Sequence, residues 1–228
     1  MRRKNTKKDE IGKTGGLMFL LSIPFLFFLG GCLLLSWISI FLTAGTKDGQ
    51  LGIFLFALIG TQVIFSSMPQ GRVRIFIHEL KHALFIAVVG DKIKNFSVGK
   101  DGGYVEYNVD KKDLGYTPLI ALAPYYFPLL SLPALILCIV FSDMYQARLS
   151  LLLGVALAFD LNMGIGEIHS GQQDFKKVIG GFLVAGSYIA GWIFFWINVC
   201  LLWIIGDNNG FIFCAKMVFY KLFAVFGG

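Results

Sequence analysis

The chain has 228 residues, of which 56% are hydrophobic and only 15% are charged, and its mean hydropathy is +0.71. Soluble domains usually carry about 25% charged residues, so this composition argues against a soluble globular protein and excludes a disordered chain. The net charge of +6 does not indicate a nucleic-acid partner, because six basic residues precede the first apolar run: Arg2, Arg3, Lys4, Lys7, Lys8 and Lys13.

Residues 1–14 form a basic tail, which we expect on the cytoplasmic side of a membrane, where it would attract anionic lipid headgroups. The apolar run that follows, residues 15–44, is too long for the apolar core of a signal peptide. It therefore predicts an uncleaved membrane-spanning helix. The expected location is a cell membrane, with several spans, a cytoplasmic N-terminus and the lipid bilayer as a partner.

Six apolar runs organise the sequence. They cover residues 15–44, 51–68, 73–89, 118–141, 149–165 and 178–205. Runs of this length predict about six transmembrane helices, and hence an all-α polytopic membrane protein whose membrane-embedded domain covers residues 15–210. Residues 211–228 are amphipathic and predict a C-terminal segment that lies on the membrane interface.

The segment between the third and fourth runs does not have a helical pattern. Apolar and polar residues alternate over 94–99 and again over 103–109, with a turn sequence at 100–103. This pattern predicts a short β-hairpin after the third helix. Because an open strand edge cannot face lipid, the hairpin must lie in water or against protein. It is either an ordinary loop or an edge that captures an extended peptide by strand addition.

The third run contains His78-Glu79-Leu80-Lys81-His82. Positions i and i+4 lie one turn apart on the same helix face, so both imidazoles can bind one metal ion at about 2.0–2.1 Å. Glu79 lies about 100° round the helix from His78, where it can act as a general base toward an attacking water. Lys81 is expected to be solvated or to extend its ammonium group toward water; it could also face the substrate cleft, and no role is assigned to it. The spacing predicts a zinc site of the zincin metalloprotease type.

A catalytic zinc needs a third protein ligand and an open fourth position. Three candidates lie in the fifth run and the turn after it: Asp160, His169 and Asp174. Spacing alone does not choose among them, and Glu167 is the least suited of the neighbouring residues. Asn162 is suited to orient a ligand or a substrate carbonyl through its amide.

Further segments accompany the His-Glu-x-x-His motif: the hairpin, the apolar residues 121–128 around Pro124, and Phe159-Asp160-Leu161 followed by Gln172-Gln173-Asp174 and Gly180-Gly181. With these segments the sequence resembles the site-2 protease family of intramembrane zinc metalloproteases, in particular a bacterial branch with Gln-x-Asp in place of Leu-Asp-Gly. The resemblance covers roughly residues 70–200. It implies that Asp174 joins His78 and His82 as the zinc ligands, that Glu79 is the general base, and that the membrane is a bacterial inner membrane.

The expected function is therefore hydrolysis of peptide bonds in membrane-associated protein or peptide substrates, with Zn²⁺ as the cofactor. The alternative is a non-proteolytic metal-binding membrane protein, such as a transporter or a sensor. A transporter should carry a second polar layer along its path, and this chain has few other ionisable residues in its apolar runs. A third hypothesis is a structural membrane subunit in which the motif is accidental.

Overall fold

The computed structural model describes residues 6–45, 49–69, 71–99, 102–108, 116–142 and 144–226. Two strands, β1 (Lys92–Val98) and β2 (Gly103–Asn108), form a small antiparallel sheet. The helices are α1 (Thr6–Ala44), α2 (Gln50–Ser67), α3 (Gly71–Val89), α4 (Thr117–Tyr126), α5 (Ser131–Val140), α6 (Gln146–Ile165), α7 (Gln173–Lys176) and α8 (Gly181–Phe226). The protein is thus mostly helical with one hairpin between α3 and α4.

Parts of three predictions lie outside the described residues. These parts are the first basic residues of the tail (Arg2, Arg3 and Lys4), residues 100, 101 and 109 of the hairpin, and residues 227 and 228 of the C-terminal segment. Helix α1 begins at Thr6, within the predicted tail.

Four helices are long and apolar enough to cross a membrane within the described part of the chain. They are Gly16–Ala44, Gln50–Ser67, Gln146–Ile165 and Gly181–Tyr220, and the number rises to five if the bent pair α4 and α5 is one span. These helices are compatible with a multi-pass membrane protein, but the predicted number of six is not confirmed. Helix α3 is not among them because it carries four charged residues besides its two histidines: Arg72, Arg74, Glu79 and Lys81.

The fourth apolar run is divided between α4 and α5. Pro128 disfavours helical backbone at Phe127, which is extended with φ −67° and ψ 122°. Asp160 then provides the N-terminal cap of α5. Its Oδ2 accepts hydrogen bonds from the backbone N–H of Leu130 at 3.0 Å and of Ser131 at 2.8 Å, and from the Ser131 hydroxyl at 2.7 Å. A buried carboxylate thus satisfies N–H groups that a helix start leaves without partners.

The sixth apolar run is predicted to end at residue 205 and the C-terminal segment to begin at residue 211. In the structure these two parts are separated by a kink within α8 and not by a separate turn. Asp207 has φ 51° and ψ −149°, while the helix continues on either side of it. These angles lie outside the left-handed helical region that aspartate tolerates and close to a region that is largely confined to glycine, so Asp207 holds a strained backbone conformation at the kink. The sixth apolar run and the C-terminal segment are therefore joined in one bent element that reaches Phe226.

The chain divides into two compact units. The first comprises Met1–Phe25, Met68–Phe127 and Leu161–Ala190, and the second comprises Leu26–Ser67, Pro128–Asp160 and Gly191–Gly228. In the second unit α2 and α6 approach closely at Gly154, where an added Cβ would lie 2.6 Å from the Phe54 carbonyl oxygen and 2.8 Å from Ala57 Cβ. Small residues permit such close helix packing in membranes.

The first unit contains the hairpin, α3, α4 and α7. Strand β1 pairs with β2 from Lys92↔Asn108 to Val98↔Gly103, with one irregularity between Ile93 and Asn95. The hairpin packs on α3, α3 packs on α4, and α4 contacts α7. Fully buried side chains from these elements form the core of the unit: Ile86, Ile120, Leu122, Tyr125 and Phe175. This packing positions the candidate site.

Candidate metal centre

Helix α3 presents two imidazoles on one face. It ends at Val89 because Gly90, with φ 91°, adopts the left-handed conformation that terminates helices. Within it the rings of His78 and His82 lie one turn apart, with their centroids separated by 5.0 Å. This is the arrangement that the i, i+4 spacing predicts.

Asp174 completes a group of three potential ligands. It lies on the short helix α7, and its Oδ2 is 3.4 Å from His78 Nε2 and 3.5 Å from His82 Nε2. Donors that hold one ion tetrahedrally at about 2.0–2.1 Å are themselves about 3.3–3.4 Å apart. The spacing of these atoms therefore suits a single metal ion, and among the described residues His78, His82 and Asp174 form the group that could hold one.

Each ligand is oriented by a second contact. His82 Nδ1 lies 2.8 Å from the Ile120 carbonyl oxygen. A carbonyl only accepts hydrogen bonds, so Nδ1 carries the proton and the lone pair of Nε2 is left for a metal. Asp174 Oδ1 accepts a hydrogen bond from Lys177 Nζ at 2.9 Å, and its Oδ2 accepts one from the Tyr125 hydroxyl at 3.4 Å.

The electrostatic surroundings of Asp174 favour its ionised form. Burial alone would raise the pKa of this carboxyl, but hydrogen bonds with His78, His82 and Lys177 and the coulombic attraction of His82 hold its pKa well below the usual range. A metal ligand must be deprotonated, so this environment keeps Asp174 in the form that binds a cation.

Glu79 lies beside the three ligands and is buried, with 7% of its surface exposed. Strand β2 approaches it closely at Gly103, where an added Cβ would lie 2.6 Å from Glu79 Cγ and 2.9 Å from the Ser97 carbonyl oxygen. The absence of a side chain at Gly103 thus allows the hairpin to pack directly against the predicted general base.

Two cavities adjoin this group within the first unit. One, of about 530 Å³, is lined by the three potential ligands, Glu79, β2 residues and Lys177. The other, of about 400 Å³, is lined by Arg74, Glu167 and His169. Both include His78, Glu79, Gly102, Gly103 and Gln172 in their walls. The two cavities therefore share a wall that contains one potential ligand and the predicted general base.

The other predicted residues have different surroundings. Asp160 caps α5 through the contacts described above. His169 is exposed and lines the smaller cavity, outside the group of three ligands. Asn162 is buried and accepts a hydrogen bond from Arg74 at 3.3 Å. The prediction of a solvated Lys81 is wrong, because the packing of α3 leaves only 1% of this residue exposed.

The sequence reasoning missed one residue of this site. Glu167, the residue judged least suited as a ligand, has its Oε2 in contact with His78 Nδ1, on the opposite edge of the ring from Asp174. No spacing rule identifies such a partner, because Glu167 reaches His78 through a loop. The one sequence feature that could have identified Glu167 is its position as an acidic residue between an apolar run and the Gln-x-Asp segment.

The fold and the site define a class: a mostly helical protein with several helices of membrane-spanning length and a His-His-Asp group that could hold a metal ion. Comparison of the chain with known protein families, with characterised proteins and with solved structures finds no match.

Proposed function

We propose that the chain is an intramembrane zinc metalloprotease, similar to the site-2 protease family, that hydrolyses peptide bonds of membrane-associated protein or peptide substrates. The observation that carries the proposal is the position of Asp174 Oδ2, within 3.5 Å of the Nε2 atoms of both His78 and His82, beside a buried Glu79. Two imidazoles and one carboxylate are a typical ligand set of catalytic zinc, which leaves the fourth position open.

The proposed chemistry divides between the ion and the chain. Zinc, when bound, supplies a Lewis acid that polarises a carbonyl and lowers the pKa of a coordinated water to about 7. Glu79 accepts a proton from the attacking water and then donates it to the departing amine. Its burial and its contact with Gly103 hold the carboxylate in one place, which a proton carrier between two reacting atoms requires.

Strand β2 is the proposed docking site for the scissile segment. It lines the larger cavity, and in the described part of the chain its only strand partner is β1. An extended peptide could add to its other edge, which would expose the substrate carbonyls that a helix hides in its own hydrogen bonds. The two cavities that His78 and Glu79 both line provide space for residues of an internal peptide segment beside the proposed general base.

The proposed location is a bacterial inner membrane with a cytoplasmic N-terminus. The helices of spanning length support a membrane location, the basic residues before the first span support the orientation, and the resemblance supports the source.

The direct test is zinc-dependent cleavage. The full chain in detergent is stripped with a chelator, reloaded with zinc, and incubated with a peptide library derived from a bacterial membrane proteome. New peptide termini, detected by mass spectrometry, are expected with the zinc-loaded protein and not with the stripped one. A chain that binds zinc, cuts nothing in the library and carries zinc into vesicles would contradict proteolysis and support a transporter.

Gly103→Ala is expected to lower the cleavage rate by about tenfold or more without loss of zinc. The new methyl group would meet Glu79 and the Ser97 carbonyl, and a displaced catalytic group is costly even when the shift is near 1 Å. Gly186→Ala is the control, since its Cβ would meet nothing within 4 Å and Gly186 is not part of either cavity wall. Equal cleavage rates for the two variants would show that the contact between Gly103 and Glu79 is unimportant.

A further inference from the structure

The loop after α6 and the short helix α7 each supply one carboxylate to the same imidazole. Asp174 faces Nε2 of His78 from one side, and Glu167 contacts Nδ1 from the other. We propose that Glu167 is a positioning residue that holds His78 in the orientation and tautomer needed for metal binding. This inference rests on the metal site of the proposed function and not on the cleavage step.

The chemistry of an imidazole requires such a partner. A histidine that binds a metal through Nε2 carries its proton on Nδ1, and a buried N–H without an acceptor is costly. His82 already has an acceptor in the Ile120 carbonyl, whereas Nδ1 of His78 is buried and faces the Glu167 carboxylate. Glu167 Oε2 contacts this nitrogen, and a carboxylate oxygen is a suitable acceptor for its proton.

The surrounding contacts hold Glu167 at this position. Arg74 lies one turn before His78 on α3 and donates a hydrogen bond to Asn162 at the end of α6. The same guanidinium packs against the backbone of Gly166, where an added Cβ would lie 2.8 Å from Nη2. The side chain of Gln172 donates to the Glu167 carbonyl at 3.4 Å. Both ends of the segment are thereby tied, one to α3 and the other to the start of α7.

A role as a fourth ligand for Glu167 is disfavoured by position. The donor atoms that share a common point are those of His78, His82 and Asp174, and Glu167 touches the edge of the His78 ring that points away from them. Orientation of a ligand from behind is the role that this geometry supports.

The test is zinc affinity, measured by competition with a chromophoric chelator on the full chain in detergent. Glu167→Leu removes the acceptor at similar size and is expected to weaken zinc binding about 10- to 100-fold. Glu167→Gln retains an acceptor oxygen, so its zinc affinity is expected to be close to that of the unmodified chain. Glu167→Asp has a shorter side chain that moves the carboxylate away from His78, so its zinc affinity should lie between those of Glu167→Leu and Glu167→Gln. His169→Leu is the matched control on the same segment, because its side chain lies outside the ligand group.

Two further readouts separate positioning from other roles. The unfolding temperature of the zinc-free Glu167→Gln protein should match that of the unmodified chain, because the amide retains an acceptor oxygen, whereas a role of the carboxylate in stability alone would lower it. The visible absorption of the Co²⁺-loaded Glu167→Gln protein should match that of the unmodified protein, since no ligand is replaced.

The inference is overturned if Glu167→Leu binds zinc as tightly as His169→Leu. It is also overturned if Glu167→Gln loses zinc as completely as a variant without Asp174. An unmodified chain that binds no zinc would overturn the proposed function together with this inference, whereas zinc binding without cleavage would overturn the proposed function alone.

Discussion

Glu79→Gln is expected to reduce cleavage by about 10²- to 10⁴-fold while the bound zinc is retained. The amide has nearly the same shape as the carboxylate but cannot accept a proton from the attacking water. Glu79 is buried beside the ligands without belonging to the ligand group, so its replacement should leave the donor set intact. The measurement pairs the rate of peptide cleavage with the zinc content of the same preparation.

The control for this variant is Glu106→Gln, which changes a carboxylate in β2 that is not part of the described cavity walls. It should cleave at nearly the rate of the unmodified chain. Full cleavage by the Glu79→Gln protein with zinc bound would show that another group acts as the base, and the proposed mechanism would be wrong.

Asp174→Ala is expected to lower zinc affinity by more than 100-fold. Loss of a residue that only orients a ligand usually weakens metal binding by about 10- to 100-fold, and this variant removes a ligand itself. The carboxylate lies within 3.5 Å of both imidazoles, and its surroundings keep it ionised. Zinc content by elemental analysis and affinity by chelator competition both measure the effect.

Two variants at the alternative positions serve as controls for Asp174→Ala. His169→Ala should keep zinc. Asp160→Ala should keep zinc but lower the unfolding temperature, because it leaves the N–H groups of Leu130 and Ser131 without their acceptor, at a cost of about 1–3 kcal/mol. If Asp160→Ala or His169→Ala loses zinc while Asp174→Ala keeps it, the ligand set proposed here is wrong.

The sequence predicts contacts between residues on the same helix better than contacts between residues that are far apart along the chain. The juxtaposition of His78 and His82 follows from helix geometry alone. Asp174, by contrast, could be preferred over Asp160 and His169 only through the resemblance, because no local rule links a residue on α7 to a helix nearly a hundred positions earlier. The structure now places Asp174 next to both imidazoles and Asp160 at a helix cap.

The limits of fold prediction have similar causes. Apolar runs identify stretches that can lie in a membrane, but they do not show where one run is divided into two helices. Here Pro128 and the buried carboxylate of Asp160 divide the fourth run into α4 and α5. Nor do they distinguish a turn from the kink at Asp207. The charged residues of α3 show the opposite case: they include the predicted general base Glu79, and they make the composition of this helix unlike that of an ordinary span. Glu167 was missed because its partner is defined only by tertiary packing.

Every step of this account depends on whether residues 78, 82 and 174 hold zinc. The decisive measurement is the zinc content of the purified full chain in detergent, combined with X-ray absorption at the zinc edge. We expect close to one zinc per chain, with two imidazole nitrogens at about 2.0–2.1 Å and the remaining donors oxygen. A chain that remains free of zinc after incubation with a stoichiometric excess, or a zinc bound through sulfur from the cysteines, would contradict the account.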